Sequence, residues 1–224
     1  MCGRFTRFHS WPEIHRMYRL TDPNEIGRNT AALYNIAPTE TVEFVTAGEA
    51  GAHKLREGRW WLVPWWAKEM PKAAMFNTRI ETADTSGAFK DAWKSSRCLV
   101  PADGFYEWTK GEDGGRDPWF IHLPGQQPFS FAGLWAHNKQ LDVTSFTIIT
   151  MPASEPMAKL HDRQPVILAP DAYDEWLDPG TPAEKVKPLL SRNLDVSLQF
   201  FRVDRHVNKA TTKDAICVAP LNPQ

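Results

Sequence analysis

Between Arg97 and Leu168 the chain is a succession of short apolar runs, separated by turn-forming residues. That punctuation constrains the fold more than any other feature. Arg97–Val100, Phe105–Trp108, Pro118–Leu123, Phe129–Trp135, Ser145–Met151 and Pro165–Leu168 read as strands. Pro101-Ala102-Asp103-Gly104 reads as the turn joining the first two, and Glu112–Gly115 as a second turn. Further strand-like or extended segments lie at Cys2–Phe8, Tyr34–Pro38, Glu40–Thr46, Lys54–Val63, Ala74–Ile80, Leu198–Val203 and Ala215–Ala219. Helical signals are few. Ser10 and Glu13 spell a capping box, and Trp11, Ile14, Met17 and Tyr18 follow at helical spacing, predicting a helix over residues 11–20. Thr85–Ser95 and Asp171–Leu177 read as helices. Thr181-Pro182-Ala183-Glu184 repeats the capping grammar and starts another, ending near Ser191; Asp22–Thr30 reads as a polar loop. The expected fold is α+β: a single domain over residues 1–224, with a barrel-like antiparallel β-sheet core and peripheral helices.

Composition narrows the function classes. With 42% hydrophobic and 24% charged residues, the 224-residue chain is expected to build one sizeable core, and monomer is the default. No run is long and apolar enough to span a bilayer, and the N-terminus lacks a signal-peptide core. A cytoplasmic protein is expected. Cys2, Cys98 and Cys217 are odd in number and form no CxxC pair, so no disulfide framework is expected; Cys98 and Cys217 sit in apolar strand-like runs and read as inert buried thiols. The seven histidines lack ligand spacing, so neither metal nor cofactor is expected. The net charge is −1, yet residues 51–100 hold nine Lys/Arg against five Asp/Glu. A basic face on a near-neutral chain fits a polyanion partner without requiring one.

A cysteine at position 2 can carry unusual chemistry. Methionine aminopeptidases generally remove Met1 before a small residue, which would leave Cys2 with a thiol and a free α-amine. That amine titrates near about 7.7–8.0, so part of it is neutral at pH 7. An amine beside a thiol captures an aldehyde as an imine and closes it to a thiazolidine. A retained Met1 would block the reaction.

Three other stretches carry polar residues where core-building would not put them: Phe76–Thr82, Ala102–Trp108 and Leu160–Pro165. Together with Cys2-Gly3-Arg4-Phe5 they resemble the SRAP (SOS response-associated peptidase) family. Arg97–Trp108, RCLVPADGFYEW, is the most specific match; Tyr34-Asn35-Ile36-Ala37-Pro38, Asn77–Thr82, His161-Asp162-Arg163-Gln164-Pro165 and Val207-Asn208 follow the family order. The resemblance spans essentially the whole chain. It implies capture of abasic sites in single-stranded DNA through a covalent thiazolidine at Cys2, and association with the nucleoid when engaged on DNA. It assigns Glu107 to orient the amine and move protons, His161 to general acid–base work on the sugar, and Asn77 to hydrogen-bond the captured sugar. It further implies phosphate contacts from Arg4, Arg79 and Arg163, a place for Asn35 in the DNA-binding set, and a wedge or stacking role for Pro38 and Trp66. The chain departs from the family at Trp61 and Trp65, where small residues are usual, and at Gln164, where Met or Arg is common.

Blander readings exist for each residue. Glu107 could be a surface carboxylate paired with Lys110, Arg79 and Glu81 a cross-strand pair, and at least two of Trp60, Trp61, Trp65 and Trp66 core residues. Two other functions use the same residues: a Cys2-nucleophile peptidase acting on peptides or on its own N-terminus, and a non-covalent single-stranded DNA-binding module.

Overall fold

Alternating large apolar residues build two sheets around a shared core. The computed structural model describes residues 2–20 and 31–221. Met1 and the loop expected over Asp22–Thr30 lie outside the described residues. In chain order the strands are β1 Phe5–Arg7, β2 Leu33–Ile36, β3 Thr41–Ala47, β4 His53–Trp60, β5 Asn77–Arg79, β6 Arg97–Ala102 and β7 Gly104–Lys110. They continue with β8 Arg116–His122, β9 Phe129–Asn138, β10 Val143–Pro152, β11 Arg163–Pro165, β12 Ile167–Leu168 and β13 Gln199–Arg202. The helices are α1 Trp11–Tyr18, α2 Lys90–Ser95, α3 Tyr173–Leu177 and α4 Ala183–Leu189.

One sheet runs β13-β8-β7-β1-β2. The other closes on itself: β10 pairs with β9 along one edge and with β4 along the other, while β4, β3, β6 and β9 are successive neighbours. This is the expected α+β, barrel-like arrangement. Its antiparallel pairing is interrupted by two short parallel contacts, of β10 with β4 and with β5.

The two-residue period sorts the closed sheet's side chains onto two faces. Val42, Phe44, Trp60, Val100, Phe131, Phe146 and Ile148 belong to one buried cluster, which Cys2, Phe5 and Phe105 join. Val45, Leu99, Leu134 and Ile149 belong to another, covered by Trp11, Ile14 and Tyr18 of α1, Trp93 of α2, Trp176 of α3 and Val186 of α4. Each fully buried side chain of this size contributes about 1.5–3 kcal/mol. Phe5 fixes β1 to the first cluster, meeting Trp60 and Phe131 edge-on at centroid distances of 4.9 and 5.8 Å.

Four local expectations change. Pro101–Gly104 does not close a hairpin: Ala102 still pairs with Phe129 in the closed sheet, whereas Gly104 pairs with Thr6 in the other. The chain changes sheets at Asp103, whose buried carboxylate accepts from the Phe8 and His9 amides. The helix expected over Thr85–Ser95 forms only from Lys90, after a series of turns. Gly87 lies in that stretch and disfavours helix by about 1 kcal/mol. Thr181 does not cap α4, because its hydroxyl donates to Glu175 O at 2.6 Å and Pro182 takes the cap position. Ala215–Ala219 is a 3-10 turn over Ala215–Val218 rather than a strand, started by the Asp214 carboxylate accepting from Ile216 N–H. A short apolar run alone does not separate these two outcomes. In α1 the Ser10–Glu13 box does form, with the Glu13 carboxylate accepting from Ser10 N–H at 2.9 Å.

Candidate active site

Cys2 lies just before β1, which is pinned by Phe5 opposite Phe105 of β7 and Ile36 of β2. Tyr106 N–H donates to Arg4 O at 3.0 Å, and Cys2 Sγ lies 3.8 Å from the same oxygen. The cysteine is fully buried. Burial pushes its thiol well above the ordinary range, and the Glu107 charge pushes in the same direction. Asn77 opens β5 and donates from Nδ2 to Cys2 O at 2.7 Å. The register that places it there is the parallel pairing of Asn77 with Ile148. Its Oδ1 is buried and has no hydrogen-bond partner among the described residues.

Glu107 stands in β7 opposite Trp119. Strand alternation puts it on the Phe105 face, toward the cluster that holds Cys2, and it is only 3% exposed. It is therefore not the surface partner of Lys110. Burial pushes its carboxyl above the usual range, opposed in part by the nearby His161. His161 closes the loop between β10 and β11. Leu160 and His161 N–H donate to Met157 O at 2.8 and 3.0 Å, and Ala153 N–H donates to Asp162 O at 2.9 Å. The imidazole is gripped at Nδ1, which accepts from Arg163 N–H at 2.9 Å and stands 2.8 Å from Asp162 Oδ1.

A cleft of about 700 Å³ adjoins these groups; Gly3, Arg4, Pro38, Glu107 and His161 line it, with Phe76, Trp108, Arg116 and Asn208. The remaining expected contacts divide. Arg4 reaches the cleft, but its guanidinium donates to Asn35 Oδ1 at 2.7 Å, Val207 O at 2.8 Å and Asn208 O at 3.2 Å. Asn35 is fully buried, and its Nδ2 donates to Lys209 O and Thr212 O at 3.1 and 2.9 Å. The pair clasps the C-terminal segment to the cleft, so Asn35 reaches the site through Arg4. Arg163 forms a two-pronged pair with Glu81 at 2.6 and 3.0 Å and also donates to Thr150 O. Glu81 thus pairs with Arg163 and lies beyond the end of β5, rather than forming a strand pair with Arg79. Arg79 is exposed and does not line the cleft. Trp60 is core, whereas Trp66 and Trp65 are 52% and 62% exposed and line a separate hollow with Trp135.

Phe76 lies in a stretch singled out from the sequence but is given no role there, and Arg116 lies outside every such stretch. Phe76 is backed by Trp61, at a centroid distance of 5.7 Å, so the unusual indole buttresses the cleft. Arg116 comes from the far side of the β7–β8 hairpin; only the register opposing it to Lys110 brings it near. Nothing in its sequence neighbourhood signals this. Among the described residues no group of three or more His, Cys, Asp or Glu is arranged to hold a metal, and no helix is long and apolar enough to cross a membrane.

Comparison with known proteins places the chain in a family. The chain is 33% identical over 220 residues to the abasic site processing protein YoaM of Bacillus subtilis, covering 96% of both chains. It is 28% identical over 232 residues to the abasic site processing protein YedK of Escherichia coli, covering 99% of this chain and all of that one. A crystal structure of a Bacteroides thetaiotaomicron protein superposes with a TM-score of 0.83 over 99% of this chain and all of that one; at 18% identity it shows the shared fold alone. The family model for SOS response associated peptidase (SRAP) matches residues 1–210, and the chain belongs to that family.

Proposed function

We propose that this protein processes abasic sites in single-stranded DNA by forming a covalent thiazolidine through Cys2. The observation that carries the reading is the convergence of separate segments. Asn77 holds the Cys2 carbonyl, and Gly3, Glu107 and His161 line the cleft beside it. The relatives' names supply the substrate class.

The chemistry begins with aminopeptidase hydrolysis of the Met1–Cys2 bond, which exposes the α-amine. At the abasic sugar, His161 takes the proton from the C1′ hydroxyl and returns one to the ring oxygen, opening the hemiacetal to an aldehyde. The Cys2 amine adds to C1′ to give a carbinolamine. Glu107, kept protonated to higher pH than an ordinary carboxyl by burial, donates a proton to the departing hydroxyl; water leaves and the imine forms. The Cys2 sulfur then bonds to C1′ while its proton passes to nitrogen. The net change is aldehyde plus aminothiol to thiazolidine plus water, with no change in oxidation level. Asn77 Oδ1 accepts from a sugar hydroxyl, and Pro38 stands at the cleft as the wedge. A sugar without its base costs little to extrude, since no stacking or pairing is lost.

A cysteine peptidase requires a thiolate stabilised by a neighbouring cation. Here burial favours the thiol over the thiolate, which supports the aminothiol route. The test incubates purified protein with single-stranded DNA bearing one abasic site and resolves the products on a denaturing gel. Wild type is expected to give a heat-stable shifted band, absent from Cys2→Ala and from a variant with one residue appended before Cys2. No band from wild type with a free Cys2 amine overturns the reading. Peptide turnover by wild type that is lost in Cys2→Ala would then select the peptidase, and DNA binding unchanged in Cys2→Ala the non-covalent binder.

A further inference from the structure

The cleft's expected phosphate ligands are largely committed elsewhere: Arg4 to the C-terminal carbonyls and Arg163 to Glu81. Arg116 is not. It is exposed and lines the cleft, where it meets the Glu107 carboxyl through the field of its charge. Its guanidinium lies over the Trp108 ring, 4.8 Å from the centroid, and Arg4 lies 5.9 Å from the same centroid. The indole is itself fixed. Trp108 Nε1–H donates to Asn208 Oδ1 at 2.6 Å, and Asn208 Nδ2 donates to Arg116 O at 3.0 Å. Two guanidiniums are therefore held against one immobilised indole at the edge of a cleft. Like charges so placed repel; burial lowers the Arg4 pKa and Arg116 pushes it in the same direction. An anion beside them offsets that repulsion, and stacking on Trp108 leaves the Arg116 N–H fork oriented for it.

The geometry points to Arg116, braced by Trp108 and Asn208, as the residue that grips a DNA phosphodiester next to the captured sugar. This assignment rests on the single-stranded DNA reading above. Arg116 is a positioning residue: it fixes the strand so that C1′ meets Cys2, and it takes no part in bond making.

The experiment measures equilibrium binding of a single-stranded oligonucleotide carrying a tetrahydrofuran abasic analogue, which has no aldehyde and cannot crosslink. Wild type, Arg116→Gln and Arg116→Lys are compared over a salt series. Removing one phosphate contact is expected to weaken binding about tenfold at low salt, equivalent to about 1.4 kcal/mol. It is also expected to reduce the slope of log K against log salt by about 0.7, the single-strand value per phosphate. Arg116→Lys keeps the charge and restores the slope, but recovers only part of the affinity because an ammonium does not stack as a planar fork. A slope in Arg116→Gln equal to wild type overturns the assignment while leaving the crosslinking reading intact. A wild type that binds no single-stranded DNA overturns both, and the gel assay tells these cases apart.

Discussion

One hairpin, β7–β8, carries two carboxylate sites with opposite electrostatics. At its tip Asp113 is held by the two terminal nitrogens of Arg205, one at 2.7 Å, while Asp117 accepts from Arg205 Nε at 2.8 Å and meets Arg202 at 3.0 Å. Arg205 and the Gly115 amide keep the Asp113 carboxyl far below the usual range. Within β7, Glu107 is pushed the other way, because burial outweighs the opposing charges of His161 and Arg116. A carboxylate locked to arginine keeps its charge at any working pH and can only tie the C-terminal segment to the hairpin. A buried carboxyl beside an imidazole can exchange a proton. Residue type does not separate the two; burial and the partner's identity do.

Substitutions can break or sharpen this contrast. Glu107→Gln is expected to slow crosslinking most, by about 100-fold or more in initial rate on the denaturing gel, as loss of a general acid predicts. Its stability should change in the opposite direction. The folded carboxyl is raised above its ordinary value of 4.5, so the folded state holds the proton where the unfolded state has released it. Wild-type stability is therefore full at low pH and falls as pH rises from about 4.5 through the raised value. Melting curves should show Glu107→Gln more stable than wild type at neutral pH, with the gap closing below that window. A variant less stable at neutral pH would break the contrast.

Gly104→Ala should be the next largest effect, because a Cβ there would stand 2.3 Å from the Phe120 ring and 2.7 Å from Ile121 O. About 1–3 kcal/mol of destabilisation by chemical denaturation is expected, with loss of crosslinking as β7 shifts. Asn35→Ala should cost about 1–3 kcal/mol, since Arg4 and the carbonyls of Lys209 and Thr212 lose a buried partner. Crosslinking should fall with it if the C-terminal clasp shapes the cleft. Asp113→Asn should do least: crosslinking unchanged, and a small loss of melting temperature that fades at high salt, since the pair is exposed. A large crosslinking defect in Asp113→Asn would show that the tip serves the chemistry after all.

Much of this was legible in the chain. The strand-forming runs carry β-branched and aromatic residues at a period of two, and α1 announces its own start through Ser10 and Glu13. Cys2, Asn77, Glu107 and His161 stood out as polar residues in places where a core would not put them. The misread segments fail for physical reasons. Pro101–Gly104 carries every local mark of a turn, yet Asp103 is captured by amides nearly a hundred positions away, which no local signal reports. Arg4 and Arg163 looked like free cations because their partners, Asn208 and Glu81, are 204 and 82 positions distant.

The sequence by itself determined the kinds of element and the inventory of chemistry, because period, capping and residue type are properties of neighbouring residues. Only the tertiary structure decided which arginine is spoken for and which reaches the cleft. Only it buried Glu107 on the Cys2 side of its strand, because register and desolvation exist only once distant segments pack together.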